Sequence, residues 1–163
     1  MKDMRPTTGK VLLALFNILG PLQDKSFLDL FSGSGQISFT ASNKGASPIY
    51  SVESERKRYV EISKKAPKNV TCFCLDVRRA LSKFLKNGEM FDVIFADPPY
   101  GLGWGKEFPS LIEKNAELLS PNGVIVFEHS DSEEIMDISE DLWEREDRCY
   151  GKTILSFYRR KSI

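Results

Sequence analysis

The chain has 163 residues, 41% hydrophobic and 28% charged, with a formal net charge of +0 and an isoelectric point near 6.6. That balance describes a folded domain that needs no disulfide or metal to hold together, and it excludes a strongly basic nucleic-acid clamp. Three cysteines, Cys72, Cys74 and Cys149, are an odd set without CxxC spacing, which excludes a disulfide framework or a zinc cluster.

The elements follow in chain order. Thr7 and Thr8 can cap a helix whose apolar residues Val11, Leu12, Leu15, Phe16 and Leu19 recur at helical spacing, and Gly20-Pro21 ends it. Ser26 to Phe31 is a short apolar run broken by Gly33 and Gly35. A helix from about Gln36 to Lys44 stops at Gly45, and Ile49 to Val52 is a second strand ending in Glu53. Glu55 to Lys65 is a charged helix, and Val70 to Leu75 a third strand ending in Asp76. A helix through Ala80, Leu81, Phe84 and Leu85 precedes a fourth strand, Phe91 to Ala96, which runs into Asp97-Pro98-Pro99-Tyr100. A helix over about Phe108 to Leu119, a fifth strand from Gly123 to Glu128 and a weak helix from Ser132 to Ile138 come next. Strands at Leu142 to Arg148 and Thr153 to Arg159, with Tyr150-Gly151 at the turn, close the pattern.

Alternating strands and helices predict an α/β fold with a parallel sheet covered on both faces. The short final link predicts an antiparallel hairpin at one edge. With no repeat and no low-complexity linker, one domain over 1–163 is expected, its first 22 residues forming a helical segment packed on the core. No apolar run approaches the roughly 20 residues that span a bilayer, and no signal-peptide pattern opens the chain. The expectation is a cytoplasmic protein with no membrane partner.

In open parallel sheets ligands bind at the carboxyl ends of the strands. Four consecutive strands end here in an acid or a glycine-rich turn: Asp29 through Gly35, Glu53, Asp76 and Asp97. Gly33 and Gly35 allow a ligand to approach the backbone. A dinucleotide fingerprint would need a third glycine where Ser38 stands, and no Walker-type Gly-Lys-Ser/Thr follows. A carboxylate at Glu53 suits both hydroxyls of a ribose, against the alternative of a solvated residue opening the next helix. Asp76 carries the same two readings.

The fourth strand holds the decisive motif. Two prolines in Asp97-Pro98-Pro99-Tyr100 fix φ and remove two backbone donors. Carbonyl oxygens and a carboxylate are then left as acceptors beside one another, a site built to receive an NH2 group. Tyr100 can stack on a flat base, and Gly101 and Gly103 form a lip. His129, the one histidine, is read as structural, since methylation of an amine needs no imidazole base.

At these residues the sequence resembles a known family. Asp97-Pro98-Pro99-Tyr100 resembles the motif of methyltransferases acting on the amino groups of adenine, cytosine or guanine. The whole chain is similar to the bacterial small-subunit (16S) ribosomal RNA guanine-N2 methyltransferases called RsmD. The matching stretches are Arg5-Pro6-Thr7-Thr8, Ala14 to Leu19, Leu28 to Gly35, Val52-Glu53, Phe91 to Tyr100 and Tyr150-Gly151-Lys152-Thr153. The resemblance implies a Rossmann-like class I fold, a seven-stranded sheet with an antiparallel last strand, and S-adenosylmethionine as cofactor. It places Gly33 and Gly35 under the methionine and ribose, Glu53 on the ribose hydroxyls and Asp76 on the adenine amine. Asp29, Phe31, Ser34, Val77 and Asp97 complete the implied cofactor site. Asp97, Pro98, Pro99 and Tyr100 hold the target base, and Arg5, Thr7 and Lys10 join Tyr100 in contacting RNA.

The implied partner is ribosomal RNA or the small ribosomal subunit, and a monomer without metal is expected. Relatives usually open with a further basic segment before Arg-Pro-Thr-Thr, whereas this sequence starts almost at that motif, so fewer RNA contacts are expected from its N-terminus. Other readings compete with this one. A DNA adenine-N6 or cytosine-N4 methyltransferase usually adds a target-recognition domain, for which the chain leaves no room. A non-catalytic S-adenosylmethionine- or RNA-binding subunit sits poorly with an intact Asp97 to Tyr100 motif.

Overall fold

The computed structural model describes residues 8–162. Helix α1 (Gly9–Leu19) is capped by Thr8, whose Oγ1 accepts from the Val11 N–H at 3.3 Å, and it ends at Gly20 with φ +70°. Thr7 lies outside the described residues. The strands are β1 (Phe27–Asp29), β2 (Ile49–Val52), β3 (Val70–Phe73), β4 (Phe91–Ala96), β5 (Leu119–Ser130), β6 (Trp143–Tyr150) and β7 (Thr153–Arg160). Between them run α2 (Gln36–Asn43), α3 (Arg56–Lys65), α4 (Val77–Lys86) and α5 (Trp104–Lys114).

All seven strands form one sheet in the order β3-β2-β1-β4-β5-β7-β6. The first five are parallel, and β7 runs antiparallel to both of its neighbours. Alternation along each strand feeds two cores. Phe27, Val93, Phe95, Val124 and Val126 face the side that buries Val11, Leu15 and Phe16 of α1 and Ile37 and Ala41 of α2. Leu28, Ile94, Ile125 and Phe127 face Ala80, Leu81 and Phe84 of α4 and Phe108 and Ile112 of α5. This period of two, with apolar residues on both faces, is why the strand cores read as continuous apolar runs. Successive strands leave β1 in opposite directions, so the order reverses between β1 and β4, where a cleft opens at the carboxyl ends.

The expected helix from Ser132 to Ile138 does not form; the stretch opens in a turn and continues without regular structure against α5. Its apolar residues, Ile135, Met136 and Ile138, make only a weak helical pattern, and tertiary packing overrides so weak a propensity. Ile138 is buried in the α4/α5 core and Ile135 packs against it. Helix α5 starts at Trp104 rather than near Phe108, because Gly103 at φ +81° turns the chain into it and Trp104 is buried. Pro109 sits inside α5 and cannot donate to the Gly105 carbonyl. The Met136 N–H donates to that carbonyl instead at 2.9 Å, which ties the irregular segment to the helix. Strand β5 begins at Leu119, ahead of the expected Gly123, with a register shift against β4 between Phe91 and Val93. In the final hairpin Tyr150 pairs with Thr153, so Gly151 and Lys152 make the turn. Among the described residues no helix is long and apolar enough to cross a membrane.

Candidate active site

The cleft has a volume of about 900 Å³. Leu30, Phe31 and Gly33 after β1, Glu53 after β2, Val77 opening α4 and Asp97 after β4 stand in its wall. The turn after β1 is held from several sides. The Leu30 N–H donates to the Phe95 carbonyl and the Ser32 N–H to the Val52 carbonyl, each at 3.0 Å, which ties the turn to both neighbouring strands. The Gly35 N–H closes it on the Ser32 carbonyl at 2.8 Å. Gly35 has φ +87°, and a Cβ there would meet the Phe39 ring at 2.9 Å, so only glycine fits.

Glu53 is buried at the end of β2. Its Oε1 accepts from the Gly33 N–H at 2.9 Å and its Oε2 from the Glu55 N–H at 2.8 Å. A carboxylate has about four acceptor positions, so two lone pairs remain on a group already clamped in the cleft wall. That matches the demand of a vicinal diol, which offers two O–H donors at a fixed separation.

Asp97 follows the last residue of β4, with Pro98, Pro99 and Tyr100 continuing along the cleft. Burial pushes the Asp97 carboxyl well above the usual carboxylate range, and the negative charges of Glu128, Asp29 and Glu133 push it the same way. A carboxylate so placed gains most from a ligand that brings N–H donors or positive charge. Tyr100 is 62% exposed, and its hydroxyl lies 3.1 Å from Ser132 Oγ across the cleft mouth. Ser132 in turn meets Ser130 Oγ at 2.9 Å, so the lip after β4 touches the loop after β5.

Asp29 is fully buried and does not line the cleft. It anchors a chain of hydroxyls beneath the glycine turn. Its Oδ2 meets Ser38 Oγ at 2.7 Å, Ser38 meets Ser51 Oγ at 3.0 Å, Ser51 meets Ser32 Oγ at 2.6 Å, and Ser32 reaches the Asp29 carbonyl at 3.1 Å. These four contacts need four protons, and three hydroxyls supply three. The fourth contact is complete only at pH values where Asp29 itself carries a proton. Burial raises the Asp29 pKa to about 6, against the lowering effect of Ser38 and Ser32. Ser38, which the sequence offered only as a missing glycine, is the residue that joins α2 to β1 and β2.

Other expected residues fall elsewhere. Asp76 caps α4: its Oδ1 accepts from the Arg78 N–H at 2.9 Å, and its Oδ2 pairs with the Arg78 guanidinium at 3.0 Å. Arg78 also pairs with Glu107 and lies 4.4 Å over the Trp104 ring, whose edge meets Phe31 at 5.0 Å. Asp76 thus stands next to the wall residue Val77 without lining the cleft itself. Ser34 and Lys10 are exposed and outside the lining, and Arg5 and Thr7 lie outside the described residues. His129, by contrast, is buried in the cleft wall; its Nε2 lies 2.8 Å from Ser156 Oγ, which donates to Asp147 Oδ1 at 2.8 Å. The cleft also recruits Arg58, Glu128, Glu133 and Lys152, which the sequence reading left out. For Glu128 a signal existed: it is one more acid near the carboxyl end of a strand parallel to β4.

A seven-stranded sheet in this order, with an inserted antiparallel β7 and a cleft at the β1/β4 reversal, is the Rossmann-like fold of class I S-adenosylmethionine-dependent methyltransferases. The chain belongs to the family described as conserved hypothetical protein 95, matched over residues 1–159, which is the RsmD-like family of its motifs. It is 31% identical over 163 residues to "Putative rRNA methyltransferase YlbH" of Bacillus subtilis, covering 96% of this chain and 88% of that one. It is 31% identical over 121 residues to "Ribosomal RNA small subunit methyltransferase D" of Escherichia coli, covering 71% of this chain and 59% of that one. The solved structure of "Putative methyltransferase yhhF from Escherichia coli" superposes with a TM-score of 0.82 at 22% identity, over 99% of this chain and 92% of that one.

Proposed function

We propose that this protein transfers the methyl group of S-adenosylmethionine to the exocyclic N2 amine of a guanine in small-subunit ribosomal RNA. The observation that carries the reading is Asp97, a buried acceptor with raised proton affinity, followed by two prolines, in one cleft with the clamped Glu53. The names of the relatives support ribosomal RNA as substrate, and such a substrate would put the work in the cytoplasm.

S-adenosylmethionine supplies a methyl group on a sulfonium, primed for in-line displacement. This chain's residues do the rest. Glu53 binds the ribose hydroxyls with its two remaining lone pairs. Gly33 and Phe31 shape the wall along the methionine and ribose, the tight turn of Ser34 and Gly35 supporting them, with Asp29 beneath. Val77 packs near the adenine, and Asp76, which caps α4 beside it behind the cleft wall, is assigned to the adenine amine at the edge of the site. Asp97 and the Pro98 carbonyl take both N–H bonds of the target amine, which favours a pyramidal nitrogen with its lone pair free for attack. Pro99 keeps the turn rigid, and Tyr100 stacks on the base. Fixing the two reactants in line can supply about 7–11 kcal/mol of the barrier. Asp97 also stabilises positive charge growing on nitrogen. Arg5, Thr7 and Lys10 are assigned to RNA contacts.

The test is transfer of radiolabel from S-adenosylmethionine to small ribosomal subunits, naked small-subunit RNA or DNA, from a strain lacking the activity. N2-methylguanosine in the digested RNA is the expected product. Label confined to DNA would move the assignment to the adenine or cytosine enzymes, and cofactor binding without label anywhere would favour a non-catalytic subunit.

A further inference from the structure

Asp97 accounts for an amine but not for which base carries it. Guanine, adenine and cytosine each present an exocyclic NH2. They differ at the neighbouring ring nitrogen: guanine carries an N1–H donor, whereas adenine N1 and cytosine N3 are acceptors. A site that selects guanine therefore needs an acceptor next to the one that holds the amine.

Strand β5 lies beside β4 in parallel register, with Ala96 opposite Phe127. The residues that follow are Asp97, just past the end of β4, and Glu128, still within β5 and paired with Leu155 of β7, so the two carboxylates sit at neighbouring positions at the carboxyl end of the sheet. Both line the same cleft, and Pro98 and Tyr100 line it on the Asp97 side. Glu128 is half-buried, and among the neighbouring charges it acts on Asp97 most strongly. Two adjacent carboxylates are complementary to two adjacent N–H donors and repel an adjacent donor and acceptor.

We propose that Glu128 is the specificity-determining residue of this site, accepting the N1–H of the target guanine while Asp97 holds the N2 amine. This rests on the guanine reading above and adds the residue that makes the choice. A ring-nitrogen acceptor facing Glu128 would leave two acceptors opposed, which rejects adenine and cytosine by repulsion rather than by shape. Lys152, at the hairpin turn on the same cleft, offsets part of the negative charge gathered there.

The experiment uses the full chain and a small-subunit RNA fragment whose methylated guanosine has been mapped with the wild-type protein. That nucleotide is then replaced by 2-aminopurine riboside, which keeps the 2-amino group but presents a bare N1 acceptor. Wild-type and Glu128→Gln proteins are compared by kcat/KM on both RNAs, with cofactor affinity and melting temperature as controls. The glutamine amide can donate to a bare N1 and no longer offers a carboxylate to N1–H. The expected result is a fall of roughly tenfold to a hundredfold or more in the guanine to 2-aminopurine ratio, the size of a charge-assisted hydrogen bond. Loss of the O6 contact is common to both proteins and cancels in the comparison. An unchanged ratio, with guanine still methylated at N2, overturns the role of Glu128 and leaves the proposed function standing. A wild-type protein that puts no label on guanine N2 overturns the function and this inference together.

Discussion

The backbone N–H of Gly33 and the side chain of Glu53 meet at 2.9 Å in the cleft wall, just past the carboxyl ends of β1 and β2. The carboxylate proposed to hold a ribose is therefore also what shapes the glycine turn. Glu53→Ala should remove two charge-assisted hydrogen bonds along with the ribose acceptors. Cofactor affinity is expected to fall about a hundredfold or more by calorimetry, since each such bond is worth about 1.5–3 kcal/mol. Glu53→Gln should lose less, because one carbonyl oxygen can still accept from Gly33. If Glu53→Ala binds S-adenosylmethionine as wild type does, the ribose assignment is wrong.

Asp97 should separate chemistry from cofactor binding. Asp97→Ala is expected to lower kcat by about 10²–10³ or more, the usual effect of deleting a preorganised acceptor at developing charge. Its cofactor affinity should stay within about threefold of wild type by the same energetic scale. The accepting form is ionised, and burial holds its pKa up. Wild-type kcat should thus rise with pH across an acid limb above the ordinary carboxylate range, and the residual activity of Asp97→Asn should lack that limb. Equal loss of turnover and cofactor binding would refute this division of labour.

The proton count around Asp29 makes a stability prediction. Its pKa rises from 3.8 to about 6 in the fold, so between those values the folded chain holds a proton that the unfolded chain has released. Stability must then fall as pH rises through that window, by about 3 kcal/mol in all. Asp97 contributes with the same sign, so the comparison with a variant isolates Asp29. Asp29→Asn supplies an N–H to Ser38 at every pH, and its urea midpoint should drop less than that of wild type between pH 5 and pH 7.5. Parallel pH profiles for the two proteins would show that Asp29 is not protonated in the fold.

Tyr100 is a large exposed aromatic at the cleft mouth, where burying a base would repay its exposure. Stacking is worth about 1–3 kcal/mol per base. Tyr100→Ala should therefore lower kcat/KM for RNA by roughly five- to a hundredfold, with melting temperature unchanged. Tyr100→Phe keeps the ring, gives up only the contact to Ser132, and should retain most of the activity. A Phe variant as poor as Ala would assign the effect to the hydroxyl and the lip rather than to stacking.

Much of this architecture was legible from periodicity. Residues such as Phe95 and Ile94 alternate between two apolar cores, which is what an unbroken apolar run encodes. The acids at strand ends were legible as a group, but their directions were not. Asp29 and Glu53 look alike in sequence, yet one turns beneath the sheet end and the other into the cleft. Asp76 caps α4 and pairs with Arg78, two residues on in the first turn of that helix, an orientation that the residue type alone does not reveal. The segment from Ser132 to Ile138 misled because its apolar pair serves α5 and not a helix of its own. Ser38 was legible as a departure from a fingerprint. Its purpose depends on Ser51 and Ser32, brought together only by the parallel pairing of β1 with β2.

Strand β6 pairs with β7 alone and forms one border of the sheet, and every residue from Glu144 to Arg148 is charged. The opposite border, β3, is four residues long. A neighbouring molecule trying to extend the sheet at β6 would have to strip water from five consecutive ionic side chains, a cost that exposed borders use to discourage stacking into fibres. The border of the sheet at β6 is therefore a poor template for self-association, and the backbone there is not the stickiest surface available.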